Sequence, residues 1–72
     1  MRPEAILARN LKRLRAMRGF SQEALAHEAG LNRTYLSDVE NERNSISLRK
    51  LAALAAVLKV QASDLIDEEY EP

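Results

Sequence analysis

A single residue, Leu31, separates one helix breaker from the next helix cap. Gly30 ends a helix-forming run, and Asn32 then offers an N-cap for another. Two short helices joined by so tight a Gly-containing turn form the geometry of a helix-turn-helix, with an ordinary helical hairpin as the plainer alternative. Gly30 supplies positive φ at the turn. Ala26 is small enough to let the following helix pack closely, and Leu25, Leu31, Leu36 and Val39 fill the space between the two helices.

The rest of the chain reads as helix too. Ala, Leu, Arg and Glu dominate, strand-like alternation is missing, and only two Gly and two Pro interrupt the sequence. A first helix is expected over about Pro3–Arg18, with Leu7, Leu11, Leu14 and then Met17 along one stripe and Gly19 as its left-handed stop. Ser21 caps a second helix over about Gln22–Glu28, with Phe20 and Leu25 as a hydrophobic staple. The third should span about Arg33–Asn41. Ser47 caps a fourth, about Leu48–Leu58, whose apolar face is Leu48, Leu51, Leu54, Ala55 and Leu58. A fifth, about Ala62–Asp67, carries Leu65 and Ile66, and residues 68–72 read as a frayed acidic tail. The expectation is an all-α, single-domain fold over residues 1–72, five short helices around one core.

Composition narrows the function classes. With 72 residues, one small domain is expected, of modest stability. The chain has no Cys, which removes disulfides and thiolate chemistry, and its one His, His27, reads as an exposed helix residue without a metal role. No nucleophile–base pair or phosphate-cradling Gly loop is visible, so an enzyme is not expected, nor is a cofactor. No signal peptide or membrane-spanning run is apparent, and a soluble, cytoplasmic protein is expected. The balance of 11 basic against 11 acidic residues hides an asymmetry: residues 1–50 hold ten basic and six acidic, residues 51–72 one basic and five acidic. Such a split hints at a polyanionic partner for the first part, although a solvated surface with an acidic tail would look the same.

The run Ser21-Gln22-Glu23-Ala24-Leu25-Ala26-His27-Glu28-Ala29-Gly30-Leu31, continued by Asn32-Arg33-Thr34-Tyr35-Leu36-Ser37-Asp38-Val39-Glu40, resembles the Cro/C1-type, or XRE, helix-turn-helix family of bacterial and phage DNA-binding proteins. The resemblance covers about Leu7 to Ile66. The later residues, with Ser45-Ile46-Ser47-Leu48, look most like the small stand-alone members that control restriction-modification operons. The resemblance implies a five-helix lambda-repressor-like domain and a sequence-specific transcriptional regulator of double-stranded DNA. An antitoxin or protein-interaction adaptor built on the same fold is the alternative.

Residue by residue, the resemblance places Arg33, Thr34, Ser37 and Asp38 against base edges in the major groove. A guanidinium can bond guanine N7 and O6 together, and a carboxylate can accept from cytosine N4, although Asp38 could equally orient an N–H or pair with Arg33. Gln22 is placed on a phosphate, with a local bond as its alternative. Tyr35 is placed on a phosphate through its hydroxyl, with ring packing as a rival. Asn41, Arg43, Asn44 and Ser45 form a loop expected to touch the DNA backbone. Arg15 and Glu40 are expected to form a structural ion pair. The chain departs from the family pattern by carrying Glu42 where Gly is usual and Ile46 where Pro is frequent; an αL residue other than Gly would cost about 1–2 kcal/mol, unless Asn41 takes that conformation. One such module makes few base contacts, so a homodimer on a palindrome is expected, with half-sites about 34 Å apart. Leu58, Leu65 and Ile66 are the expected dimer surface, or else they close the core. RNA polymerase is a further candidate partner.

Overall fold

The computed structural model describes residues 1–72 and contains five helices: α1 (Pro3–Arg18), α2 (Gln22–Ala29), α3 (Arg33–Glu40), α4 (Leu48–Leu58) and α5 (Ala62–Leu65). No helix is long and apolar enough to cross a membrane.

Local chemistry sets the boundaries. Ser21 Oγ accepts from the Ala24 N–H at 3.0 Å, Asn32 Oδ1 from Thr34 and Tyr35 at 2.7 and 3.3 Å, and Ser47 Oγ from Lys50 at 3.2 Å. Each bond satisfies an amide that the helix itself leaves unpaired. At the other ends, Gly19 and Gly30 adopt φ of 75° and 71°. The N–H after each glycine then reaches back into the final turn, Phe20 to Arg15 O at 3.0 Å and Leu31 to Ala26 O at 2.7 Å. α4 ends the same way with Lys59 at φ 60°, a conformation glycine would hold without strain.

The core is aliphatic. Leu7, Leu11 and Leu14 of α1 meet Leu25 and Ala26 of α2, Leu36 and Val39 of α3, Leu51, Leu54, Ala55 and Leu58 of α4, and Leu65 of α5. The stripes foreseen on α1 and α4 extend one position too far: Met17 is 57% exposed and Leu48 82% exposed. Both lie at helix ends, where the apolar stripe has rotated past the neighbouring helices.

Three long-range features were not foreseen. Asn10 is fully buried, and its Nδ2 donates to the carbonyls of Asp64, Leu65 and Asp67 at 3.2, 3.2 and 2.9 Å. It thereby pairs oxygens that a four-residue helix cannot pair internally. Arg18 Nε caps α4 by donating to Leu58 O at 2.9 Å. Residues 68–72, expected to fray, instead lie on α1: Arg9 Nη2 donates to Glu68 O at 2.6 Å, Arg13 pairs with Glu71 at 3.2 Å, and Tyr70 packs against the core.

Candidate nucleic-acid interface

α3 is held from behind by one buried carboxylate. Glu40 is 2% exposed, at the last turn of α3. Arg15 of α1 grips it with a fork, Nε donating to Oε2 at 2.8 Å and Nη2 to Oε1 at 3.0 Å. Arg15 Nη1 also donates to Phe20 O at 3.0 Å, which ties the α1–α2 turn to the same group. A bidentate guanidinium fixes orientation as well as distance. Gln22 completes the set, its Nε2 donating to Glu40 Oε1 at 3.0 Å. The bond is to Glu40, 18 residues along the chain, and not the local one named as the alternative; one N–H and the carbonyl oxygen of the Gln22 amide remain open.

The outer side of α3 carries the residues assigned to base reading. Arg33 and Thr34 are exposed in the first turn, while Ser37 and Asp38 are half-buried one turn on. Arg33 forms no hydrogen bond or ion pair with the protein, and Asp38 is not paired with it. Asp38 instead uses its backbone carbonyl, which accepts from the Asn41 and Arg43 amides at 3.2 and 2.8 Å.

The geometry bears on two assignments made from the sequence, and it corrects the second. The Tyr35 hydroxyl donates to Ser45 O at 2.9 Å, a bond that a phosphate contact through the same hydroxyl would have to replace. Leu58 and Leu65 are fully buried within one chain and cannot form a dimer surface; they close the core under α4 and α5, and only Ile66, 49% exposed, remains available.

The loop path also differs from expectation. Glu42, not Asn41, takes the left-handed conformation, with φ 62°. Asn41 stays at φ −102° because its Nδ2 donates to Ser37 O at 2.8 Å, holding it on the helix end. Arg2 pairs with Glu42 at 2.8 Å and masks a carboxylate that would otherwise face any polyanion alone. Arg43, Asn44 and Ser45 are exposed beside it.

Lys50 and Arg49 went unremarked in the sequence. Both are exposed in the first turn of α4, and Lys50 Nζ sits 4.3 Å from the centroid of the Tyr35 ring. A signal was present: α4 has no acidic residue in its first turn, and cations there oppose the helix dipole.

A helix-turn-helix family model, HTH_3, matches residues 11–65. That segment takes in both helices of the tight turn, the Arg15–Glu40 fork and the whole of α4. The chain belongs to the helix-turn-helix family. Within it, the chain is 45% identical over 62 residues to a hypothetical transcription factor of Neisseria meningitidis serogroup B, covering 86% of this chain and 58% of that relative's length. A crystal structure of a hypothetical transcription factor from Neisseria superposes with a TM-score of 0.88 at 42% identity, over 92% of this chain and 76% of that one. The restriction-modification controller protein C.AhdI of Aeromonas hydrophila superposes with a TM-score of 0.83 at 34% identity, over 86% of this chain and 94% of that one. The five-helix, lambda-repressor-like architecture is shared with these helix-turn-helix regulators. Arg2, Asn10 and the docked residues 68–72 all fall outside the segment that the family model matches.

Proposed function

We propose that this chain is a sequence-specific transcriptional regulator that binds duplex DNA through α3, and that it is not an enzyme. The observation that carries this reading is the distribution of unpaired cations. Arg33 at the start of α3, Arg43 in the loop after it, and Arg49 and Lys50 at the start of α4 are exposed, and none has an acidic partner in the protein. An unpaired basic rim around an exposed helix N-terminus fits a major groove flanked by phosphates.

In this reading Arg33 addresses a guanine edge, Thr34 and Ser37 offer hydroxyls to bases or bridging waters, and Asp38 accepts from cytosine. Gln22 gives its remaining N–H to a phosphate, and Arg43, Asn44, Ser45 and Asn41 approach the backbone. Tyr35 shapes the loop. Control of a restriction-modification operon is the specific role that the likeness to C.AhdI supports, and an activating role would add RNA polymerase as a partner.

A homodimer on a palindrome remains part of the proposal, on a different surface. Ile66 and the exposed Leu48 border a shallow apolar groove lined also by Pro3, Leu7, Ile46 and Leu51. A second copy would remove these side chains from water. Selecting duplexes from a random pool tests the reading directly. Recovery of inverted half-sites about 34 Å apart is expected. Recovery of no preferred sequence, together with affinity indifferent to salt, would favour the protein-binding alternative of an antitoxin or adaptor.

A further inference from the structure

A helix lying in a major groove has a sugar-phosphate wall on each side, and Gln22 addresses only one of them. We propose that Lys50, seated on the ring of Tyr35, is the anchor for the other wall: a DNA-backbone contact whose position is set by the tyrosine. This rests on the DNA-binding reading above and assigns that surface a contact on a second flank.

At about 100° per residue, Leu36, Val39 and Glu40 fall on the buried stripe of α3, with Thr34 and Asp38 opposite. Glu40 and Tyr35 lie on opposite flanks of that stripe. The Gln22 amide reaches Glu40 at 3.0 Å on one flank, and the Lys50 ammonium covers Tyr35 at 4.3 Å on the other. The two side chains therefore approach α3 from different sides.

Lys50 is not a generic surface lysine. A lysine stem is flexible and ordinarily leaves its charge undirected. Here the ring attracts the ammonium to one place, and the ring is itself fixed. The Tyr35 hydroxyl is bonded to Ser45 O at 2.9 Å, and its backbone N–H shares the Asn32 cap at 3.3 Å. No carboxylate pairs with Lys50, and the first turn of α4 carries no acidic residue. An ammonium has three donors, and a ring face leaves donors available for a phosphate. The committed hydroxyl of Tyr35 acquires a reason: it holds the platform still while the lysine makes the contact.

The test is the salt dependence of binding to a mixed-sequence duplex. Lys50→Gln should reduce the log–log slope by about 0.9, equivalent to about a 3.5-fold affinity difference across a fourfold change in salt, with an unchanged melting temperature. Lys50→Arg should keep the wild-type slope. Tyr35→Phe, which retains the ring but cuts its tether to Ser45, should lose a smaller part of the slope than Tyr35→Leu, and an unchanged slope overturns the role of the tether. Tyr35→Leu should lose as much slope as Lys50→Gln, and the double variant should lose no more than either. An unchanged slope in Lys50→Gln overturns the contact, and a wild-type slope in Tyr35→Leu overturns the positioning. Should Tyr35→Leu fail to fold, the Lys50 Cε proton shifts of the free wild-type protein decide the same point: upfield displacement by the ring supports the seat, and random-coil shifts overturn it. A wild-type protein whose affinity shows no salt slope removes the DNA-binding reading itself, an outcome distinct from a wild-type slope that Lys50→Gln leaves intact.

Discussion

The arginines of α1 and the cations around α3 carry the same charge and lead different lives. Arg9 donates to Glu68 O, Arg13 pairs with Glu71, Arg15 holds Glu40 and Arg18 caps α4 at Leu58 O. Arg33, Arg43, Arg49 and Lys50 make no such bonds, apart from the ring contact of Lys50. The difference teaches that a formal charge of zero says little about a surface. Glu40, Glu42 and Glu71 neutralise Arg15, Arg2 and Arg13, and four of the cations left without an acidic partner, Arg33, Arg43, Arg49 and Lys50, lie on α3, in the loop after it and at the start of α4.

Five substitutions probe that contrast, from the largest expected effect to the smallest. Glu40→Ala would leave Arg15 and Gln22 without their shared acceptor and should destabilise the fold by about 3–5 kcal/mol. In a domain of this size each kcal/mol moves the melting temperature by about 4–8 °C, so a thermal melt should show a large drop or no folded protein. A normal melt would mean that Arg15 belongs with the cations around α3 instead. Leu58→Ala should cost about 2–5 kcal/mol through the cavity it opens, whereas Ile66→Asp should leave the melt of the monomer nearly unchanged and weaken self-association in sedimentation. The reverse pattern would return Leu58 to a dimer surface.

Arg33→Ala should leave stability untouched and reduce DNA affinity by about 1–3 kcal/mol, with relaxed choice at one base position in a selection experiment. Equal weakening on every sequence would make Arg33 a phosphate contact. The smallest effect is expected from Arg13→Ala. Its partner Glu71 is 86% exposed, and such pairs contribute less than about 1 kcal/mol. Neither the melt nor the salt slope of DNA binding should shift appreciably, and a clear loss of slope would place α1 in the interface.

The contrast also explains what could be read from the sequence. Helix starts at Gln22, Arg33 and Leu48 were legible because Ser21, Asn32 and Ser47 act on amides two or three residues away. Gly19 and Gly30 mark their stops for the same local reason. The partners of Arg9, Arg18 and Asn10 lie 40 to 59 residues along the chain, and nothing nearby announces them. Asn10 reads locally as an ordinary polar helix residue, and its burial exists only once α5 has packed. The acidic run at residues 68–71 reads as solvated because its cationic partners belong to α1. Within the candidate site, the exposed residues Arg33 and Thr34 followed from the motif, whereas the commitments of Tyr35 and Asn41 depend on how the loop returns. Leu58 and Leu65 illustrate the limit of composition: leucines are plentiful, and which of them face inward and which, like Leu48, face water is decided by helix phase.

The Asn10 amide has one more consequence. α5 has four residues, far too few to persist alone in water, and its carbonyl ends are held by a side chain from α1. α1 and α5 must therefore order together, with the recognition segment enclosed between them in sequence. Partial opening of either should release both, so the Asp64 amide of α5, bonded to Gln61 O at 3.0 Å, is expected to exchange with solvent at the rate of amides in the middle of α1.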